Sequence, residues 1–245
     1  MKENKYDDEV FFAKYSQMLR SREGLKGAGE WETLQPLLPS FTGKRVLDLG
    51  CGYGWHAAYA AKEGATEVIA TDISEKMLEQ AEKRNPHPRI RYCLEAFEDA
   101  CYPAESFDVI LCSLMIHYLD SFDNFLMKAH RWLKPGGILA YTVEHPIFTA
   151  YGTQDWIYDE KGEILYFPVD NYFLEGRRQT HFLGEEVLKY HRTLTTYLDT
   201  LLQNGFRLLR VVEPQPSETM IQEVSGMEDE LRRPMMLIVT AQKET

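Results

Sequence analysis

Three glycines separated by single residues mark the part of the chain whose residue types suit ligand binding. Gly50, Gly52 and Gly54 follow an apolar run that ends at Leu49 and precede an alanine-rich run that ends at Gly64. Because glycine has no Cβ, such a turn can bend sharply and let a ligand approach the bare backbone. The helix expected after the turn offers free N–H groups at its start. We therefore predict a strand–turn–helix unit that binds a ligand at the turn.

A carboxylate ends the next apolar run. Residues 68–71 lead directly into Asp72, which is followed by Ile73. In an open parallel α/β sheet, ligands bind at the carboxyl ends of the strands, so Asp72 should lie beside the glycine turn. An ionised carboxylate can accept hydrogen bonds from both hydroxyls of a ribose. We expect Asp72 to bind a ribose and Ile73 to contact an adenine. Met77, one helical turn further on, is either a second adenine contact or a core residue.

The position of the third glycine separates two cofactors. In the dinucleotide fingerprint that glycine comes one place later than Gly54, where this chain has Trp55. An NAD-dependent oxidoreductase is therefore the weaker alternative. The run Asp-Leu-Gly-Cys-Gly-Tyr-Gly, residues 48–54, instead resembles the first motif of class I methyltransferases that use S-adenosylmethionine. The resemblance implies that this cofactor is bound by Asp48, Gly50, Cys51, Gly52, Gly54 and Asp72.

The resemblance to this family covers residues 44–143 and is closest to the subgroup that methylates small molecules such as quinone precursors. In the loop after the third predicted strand, Ala96 stands where the family usually has an aspartate. The backbone of Ala96 and Phe97 is therefore expected to bind the adenine edge. The fourth strand ends at Cys112 and Ser113, which should reach the ligand side of the sheet. A Pro135-Gly136-Gly137 turn is expected to end the next helix before a fifth strand at 138–143.

These residues need a particular fold to position them. The predicted order is β-α-β-α-β-β-α-β, and the fold class is α/β, with a Rossmann-like seven-stranded, mostly parallel sheet. The resemblance implies that the last strand, at 234–241, runs antiparallel between the fifth and sixth strands. We expect one domain, 1–245, made of an N-terminal helical lid (1–43), a cofactor-binding core (44–143), a cap insertion after strand five (144–192) and the rest of the sheet (193–245).

The lid and the cap rest on different kinds of signal. Apolar residues at helical spacing predict a helix over 8–22. The resemblance implies that Tyr15 and Arg20 lie near the methionine end of the cofactor, whereas a packing helix is the plainer alternative. Residues 144–192 are rich in aromatic side chains and show little periodicity, with a β-hairpin expected to turn at 159–162. Long irregular segments are often functional, so a cap over the substrate pocket is favoured over a dimer contact or a separate small core.

Three histidines are candidates for a general base. His117 follows the fourth predicted strand, His145 follows the fifth, and His191 lies where the insertion rejoins the sheet. Histidine can take a proton near neutral pH, which matters only if the methyl acceptor arrives protonated. Each histidine could equally be a hydrogen-bonded structural residue. Arg192, beside His191, could bind a substrate carboxylate or form a surface ion pair.

Composition narrows the range of partners. The 245 residues carry a formal net charge of −11, which disfavours a nucleic-acid substrate. No apolar run is long enough to span a membrane, and the histidines lack metal-ligand spacing. Four cysteines without C-x-x-C spacing fit a reduced, cytoplasmic protein. We predict an S-adenosylmethionine-dependent methyltransferase with a small-molecule acceptor, as monomer or homodimer. A non-catalytic S-adenosylmethionine-binding protein remains the main alternative.

Overall fold

A seven-stranded sheet forms the centre of the molecule. The computed structural model describes residues 4–244. The spatial order of the strands is β10-β11-β5-β4-β1-β2-β3, and only the pairs that β11 makes with β5 and β10 are antiparallel. The predicted fold class and the antiparallel last strand are therefore confirmed. The strands of this sheet are Arg45–Leu49 (β1), Glu67–Asp72 (β2), Ile90–Leu94 (β3), Phe107–Ser113 (β4), Leu133–Glu144 (β5), Phe206–Val212 (β10) and Met236–Lys243 (β11).

Helices cover both faces of the sheet, which explains why the central strands are apolar almost throughout. Every residue of β1 after Arg45 is buried, as are the four central residues of β2. The side chains of Ser74, Ser121 and Thr193 accept hydrogen bonds from backbone N–H groups at the starts of three helices. The α-helices are Glu9–Tyr15 (α1), Leu19–Glu23 (α2), Trp31–Leu34 (α3), Trp55–Lys62 (α4), Glu75–Arg84 (α5), Phe122–Trp132 (α6), Pro146–Ala150 (α7), Leu194–Gln203 (α8) and Glu218–Glu223 (α9).

Two local predictions are wrong. The helix expected over 8–22 is broken into α1 and α2 at Ser16–Met18, where Met18 adopts an extended conformation. The turn expected at 135–137 lies within β5, because α6 already ends at Trp132 and Leu133 is extended. Pro135 disfavours a helical conformation in the residue before it, which helps to end α6 early. The glycines instead accommodate a shift in the pairing of β5 with β4.

The insertion is more regular than the sequence suggests. It contains α7 and two hairpins, so the expectation of a largely irregular segment is wrong. The first hairpin turns at 159–162, as predicted. The four strands of the two hairpins are Ile157–Tyr158 (β6), Ile164–Tyr166 (β7), Gly176–Phe182 (β8) and Glu185–His191 (β9). The guanidinium of Arg233 lies 4.6–4.9 Å from the ring centroids of Phe148, Trp156 and Phe167, and so attaches the insertion to the C-terminal segment.

Within residues 4–244, none of the helices combines the length and the apolar character needed to cross a bilayer. Across the same range, no three histidine, cysteine or acidic side chains are grouped so that they could hold a metal ion. The four cysteines are all unpaired thiols, two of them buried.

Candidate active site

A cavity of about 400 Å³ opens at the carboxyl ends of β1, β2, β4 and β5. This volume lies within the usual range for small-molecule sites. The N-terminal segment, the loop after β3 and the insertion complete its walls. The predicted site residues among those that line it are Tyr15, Arg20, Gly50, Cys51, Gly52, Asp72, Ile73, Met77, Ala96, Phe97, Ser113 and His117.

The three glycines of the turn have different roles. All three have positive φ, at +67° for Gly50, +53° for Gly52 and +75° for Gly54. A Cβ added to Gly50 would lie 2.6 Å from Met115, and one added to Gly54 would lie 2.4 Å from the Tyr92 hydroxyl. A Cβ at Gly52 would meet no atom of the described residues within 4 Å, its chain neighbours aside, although Gly52 lines the cavity. Packing therefore requires the first and third glycines, whereas the second leaves open space at the cavity wall.

Asp72 connects the glycine turn to the next helix. Its Oδ2 accepts a hydrogen bond from the Gly52 N–H at 2.8 Å, and its Oδ1 accepts one from the Ser74 N–H at 2.9 Å. Burial raises the pKa of Asp72 above its usual value, and these backbone donors oppose the rise. The carboxylate thus fixes the turn and still presents lone pairs to the cavity.

Asp48 lies beneath the turn and does not line the cavity. Its side chain is almost fully buried in β1. Burial raises the pKa of Asp48 to about 7, and the Ala57 N–H opposes this only in part. A buried carboxylate without a cationic partner is destabilising once it ionises, and groups of this kind concentrate at functional sites.

Replacing Asp48 with asparagine should stabilise the protein in a pH-dependent way. Between about pH 4 and pH 7 the folded protein keeps the Asp48 proton while the unfolded chain loses it, so this group removes stability as pH rises. An asparagine side chain cannot ionise. The free energy of unfolding of Asp48→Asn minus that of wild type should therefore be about 2–4 kcal/mol larger at pH 8 than at pH 4. Urea unfolding of both proteins at the two pH values measures the difference. An equal difference at both pH values would show that Asp48 titrates normally.

Ala96 and Phe97 lie in a loop that is held from outside by one cation. The Lys128 ammonium, on α6, donates to the carbonyls of Phe97 at 3.1 Å, Glu98 at 2.8 Å and Ala100 at 3.0 Å. It also lies 4.9 Å from the Phe97 ring centroid. Three charge-assisted bonds to the carbonyls of one short loop should make its backbone rigid.

Replacing Lys128 with methionine should loosen this loop without unfolding the protein. The variant keeps an unbranched side chain but loses all three donors, so local opening of 97–100 should become easier by about 2 kcal/mol. Hydrogen exchange of the amides at 99 and 100 should accelerate about 30-fold. Lys134→Met, which removes an exposed cation paired with Asp108, is the matched control. Unchanged exchange in Lys128→Met would contradict the role of the cation.

The N-terminal segment covers one side of the cavity. Tyr15 and Arg20 both line it, and Arg20 forms an ion pair with the buried Glu30. The Tyr6 hydroxyl lies 3.1 Å from that of Tyr118. Asp7 accepts a hydrogen bond from the Ser74 hydroxyl at 2.5 Å. These contacts tie the segment to the strand ends that carry the glycine turn and Asp72.

Of the three candidate histidines, only His117 lines the cavity. Burial lowers the pKa of His117 to about 4, so its ring is neutral near pH 7. His145 caps α7 through the Ile147 N–H and contacts Glu213 at 2.9 Å. His191 is held between the Thr149 hydroxyl at 2.7 Å and the Tyr172 carbonyl at 2.8 Å. This placement favours structural roles for His145 and His191.

Three other predicted residues lie outside the cavity wall. Gly54 packs against Tyr92, and Cys112 is buried beneath Ser113, beside a smaller void. Arg192 donates to the carbonyls of Leu119 and Asp120, so its guanidinium is not turned towards a substrate carboxylate.

A polar group on the insertion side of the cavity is not among the residues predicted from the sequence. Glu144, Gln154 and Lys189 all line it, and all three are partly or fully buried. Glu144 ends β5 at the same edge as Asp72 and Ser113, so its position could have drawn attention to it. Lys189 follows the buried Val187 at a spacing of two in β9, which places it on the inner face of the hairpin.

The order of the sheet, with a glycine turn after β1 and an acid at the end of β2, defines a class of α/β proteins that bind nucleoside-containing cofactors. A family model for the methyltransferase domain matches residues 47–141. The chain belongs to the S-adenosylmethionine-dependent methyltransferases, and S-adenosylmethionine is its methyl donor.

The relatives behind this identification cover most of the chain. A structure of an S-adenosylmethionine-dependent methyltransferase from Mesorhizobium loti is 38% identical in sequence, with a TM-score of 0.82. The match covers 90% of this chain and 100% of the Mesorhizobium loti chain. A Listeria monocytogenes structure, provisionally assigned to the same class, is 49% identical, with a TM-score of 0.86, and covers 91% of this chain and 100% of its own. An uncharacterized protein of Haemophilus influenzae is 33% identical over 97% of this chain and 96% of its own length.

Proposed function

We propose that the protein transfers the methyl group of S-adenosylmethionine to a small molecule bound in the same cavity. The cofactor would lie along the ends of β3, β2 and β1, and the acceptor over the ends of β4 and β5. The observation that carries this proposal is the open space at Gly52 beside the Asp72 carboxylate. The cavity also contains a buried donor, the Trp55 indole N–H, which has no hydrogen-bond partner within residues 4–244.

The roles of the cofactor-binding residues follow from this arrangement. Asp72 would bind the ribose, and the backbone at Gly50, Cys51 and Gly52 would face the sugar and the methionine part. The adenine ring would pack against Ile73 and Met77, and its edge would bind the backbone of Ala96 and Phe97. Tyr15 and Arg20 would lie near the methionine end, with residues 1–43 acting as a lid. Asp48 would affect cofactor binding indirectly, by supporting the glycine turn above it.

The chemistry required of the protein is mainly positional. A methyl group on a sulfonium is already electrophilic, so an aligned nucleophile can displace the sulfur in line. The side chains of the cavity hold the two reactants together and exclude water, which strengthens the charge interactions inside. His117, neutral and in the wall, can accept or donate a hydrogen bond at the acceptor side.

The walls on the acceptor side favour an acceptor with a flat apolar body, such as a quinone precursor. Tyr6, Tyr118, Phe148 and Phe182 supply aromatic surface there, and the last two come from the insertion. Residues 144–192 would therefore act as a cap over the acceptor. The unpaired cysteines fit a cytoplasmic location, and a monomer or homodimer is part of the proposal.

Calorimetry tests the cofactor half of the proposal directly. We expect S-adenosylmethionine and S-adenosylhomocysteine to bind one site per chain, with no binding of NADH in a fluorescence titration. The catalytic half is tested by incubation with labelled S-adenosylmethionine and a panel of neutral aromatic alcohols, amines and thiols. Formation of S-adenosylhomocysteine that depends on one of these acceptors is the expected result. Tight cofactor binding with no turnover would favour the non-catalytic alternative.

A further inference from the structure

Three buried polar side chains form a closed hydrogen-bonded group on the cap side of the cavity. The Lys189 ammonium lies 2.5 Å from Glu144 Oε1 and donates to Gln154 Oε1 at 3.0 Å. The Gln154 amide donates to Glu144 Oε2 at 2.7 Å. We call Glu144, Gln154 and Lys189 the acceptor triad. Its members come from β5, the loop after α7 and β9, so the fold brings them together from distant positions.

The triad is desolvated and has no net charge. Lys189 is 2% exposed and Gln154 is 9% exposed, yet both line the cavity. Although burial alone would raise it, the Lys189 ammonium holds the pKa of the Glu144 carboxyl below its usual value. A buried ion pair of this kind is destabilising compared with apolar packing. A role in ligand binding would explain its presence.

The triad lies on the acceptor side of the site. Asp72 and Ala96 follow β2 and β3 on one side of the glycine turn, whereas Glu144 ends β5 on the other side. A nucleoside held at Asp72 therefore leaves the ends of β4 and β5 for the acceptor. His117 lies beside the triad, since its Nδ1 accepts a hydrogen bond from the Glu144 N–H at 3.5 Å.

We propose that the acceptor triad binds a neutral hydroxyl group on an apolar aromatic acceptor, with Glu144 accepting the hydroxyl proton and Lys189 donating to the oxygen. This inference rests on the proposed function and specifies the chemical class of its acceptor. Within residues 4–244, each carboxylate oxygen of Glu144 accepts from one donor and keeps a second lone pair. Lys189 uses two of its three N–H groups within the triad. A hydroxyl group can both donate and accept hydrogen bonds, so it matches the remaining lone pairs of Glu144 and the third N–H of Lys189.

Charged acceptors match the triad less well. A carboxylate would lie against Glu144 while the Lys189 charge is already neutralised, and like charges this close are strongly unfavourable. An ammonium would meet the reverse problem at Lys189. The neutral His117 ring adds no charge to either side. The aromatic rings of Phe148 and Phe182 complete a wall suited to an apolar body.

Methyl transfer to the acceptor hydroxyl forms one C–O bond and breaks one C–S bond. A lone pair of the hydroxyl oxygen forms a bond to the methyl carbon, and the C–S bond breaks with its electron pair left on sulfur. The positive charge passes to the oxygen, whose proton moves to the Glu144 carboxylate and from there to solvent. A protonated ether is far more acidic than a carboxylic acid, so a carboxylate of low pKa suffices as the base once the C–O bond forms.

The test uses three one-ring probes at pH 7, phenol, benzoate and benzylammonium, titrated by ligand-observed NMR into the full chain saturated with S-adenosylhomocysteine. The wild type should bind phenol at least about tenfold more tightly than either ion. Glu144→Gln leaves a net positive triad and should shift the preference at least about tenfold towards benzoate. Lys189→Met leaves a net negative triad and should shift it similarly towards benzylammonium.

Three further variants keep the result interpretable. The double variant E144Q/K189M removes both charges, should fold even if a single variant does not, and should bind phenol about tenfold more weakly without favouring either ion. Lys14 and Glu185 form an ion pair between α1 and the same hairpin, outside the cavity lining. Lys14→Met and Glu185→Gln therefore change the net charge of the protein by the same amounts as Lys189→Met and Glu144→Gln. They should leave the preferences among the three probes unchanged.

The outcomes separate this inference from the proposed function. If S-adenosylhomocysteine does not bind the wild type in calorimetry, the proposed function fails. If it binds but the probe preference does not follow the charge of the triad, or none of the probes binds, the acceptor triad is overturned while the cofactor assignment stands. Wild-type preference for benzoate or benzylammonium would also overturn it.

Discussion

Replacing Asp72 with alanine is expected to weaken the binding of S-adenosylmethionine by about 100-fold or more. The carboxylate has two functions that the variant loses together. It accepts the Gly52 and Ser74 N–H bonds that fix the glycine turn, and it is the proposed ligand of the ribose hydroxyls. Hydrogen bonds to a charged group are worth about 1.5–3 kcal/mol each, so loss of the ribose bonds alone gives this magnitude. Calorimetry with S-adenosylhomocysteine measures it.

Two variants separate the functions of Asp72 from a general effect of charge. Glu79→Ala removes an exposed carboxylate from α5, five residues after Ser74, and should leave cofactor affinity unchanged. Asp72→Asn keeps one acceptor oxygen for the turn but loses the charge, so it should lie between wild type and alanine. Affinity of Asp72→Ala within about twofold of wild type would remove the ribose assignment.

The cofactor side of the site could be predicted because its signals are local. The glycine turn, Asp72 and the Ser74 cap lie within about two dozen residues, and each reports a backbone conformation that short-range sterics decide. The predicted end of β1 at Leu49 and the helix expected directly after the glycine turn both match the structure. Such signals do not depend on how distant parts of the chain pack.

The acceptor side could not be predicted in the same way. Glu144, Gln154 and Lys189 meet only after the insertion folds back over the sheet, and no spacing in the sequence encodes that contact. The strands of the first hairpin are two and three residues long, too short to show alternation, and β8 in the second hairpin has a single buried residue. His145 and His191 were plausible by position, but packing places their rings against Glu213 and the Tyr172 carbonyl. Local pattern identifies a residue type at a strand end, while tertiary contacts decide which way it faces.

Replacing Gly52 with alanine should abolish measurable cofactor binding while the protein stays folded. The new methyl group would meet no atom of residues 4–244 beyond its chain neighbours within 4 Å, so it would occupy open space at a residue that lines the cavity. If the cofactor passes close to the bare backbone there, affinity should fall by at least about 100-fold, equivalent to about 3 kcal/mol. The positive φ of +53° adds a stability cost of about 1–2 kcal/mol for any residue with a Cβ.

Gly43→Ala is the control that divides these two effects. Gly43 has a φ of +74°, and an added Cβ there would likewise meet nothing in the described part of the chain within 4 Å, but Gly43 does not line the cavity. Both variants should therefore lose similar stability in thermal unfolding, and only Gly52→Ala should lose the cofactor. Equal affinity in the two variants would mean that no ligand approaches the turn. Since the space at Gly52 is the observation that carries the proposed function, that result would leave the glycines with a purely structural reason to be there.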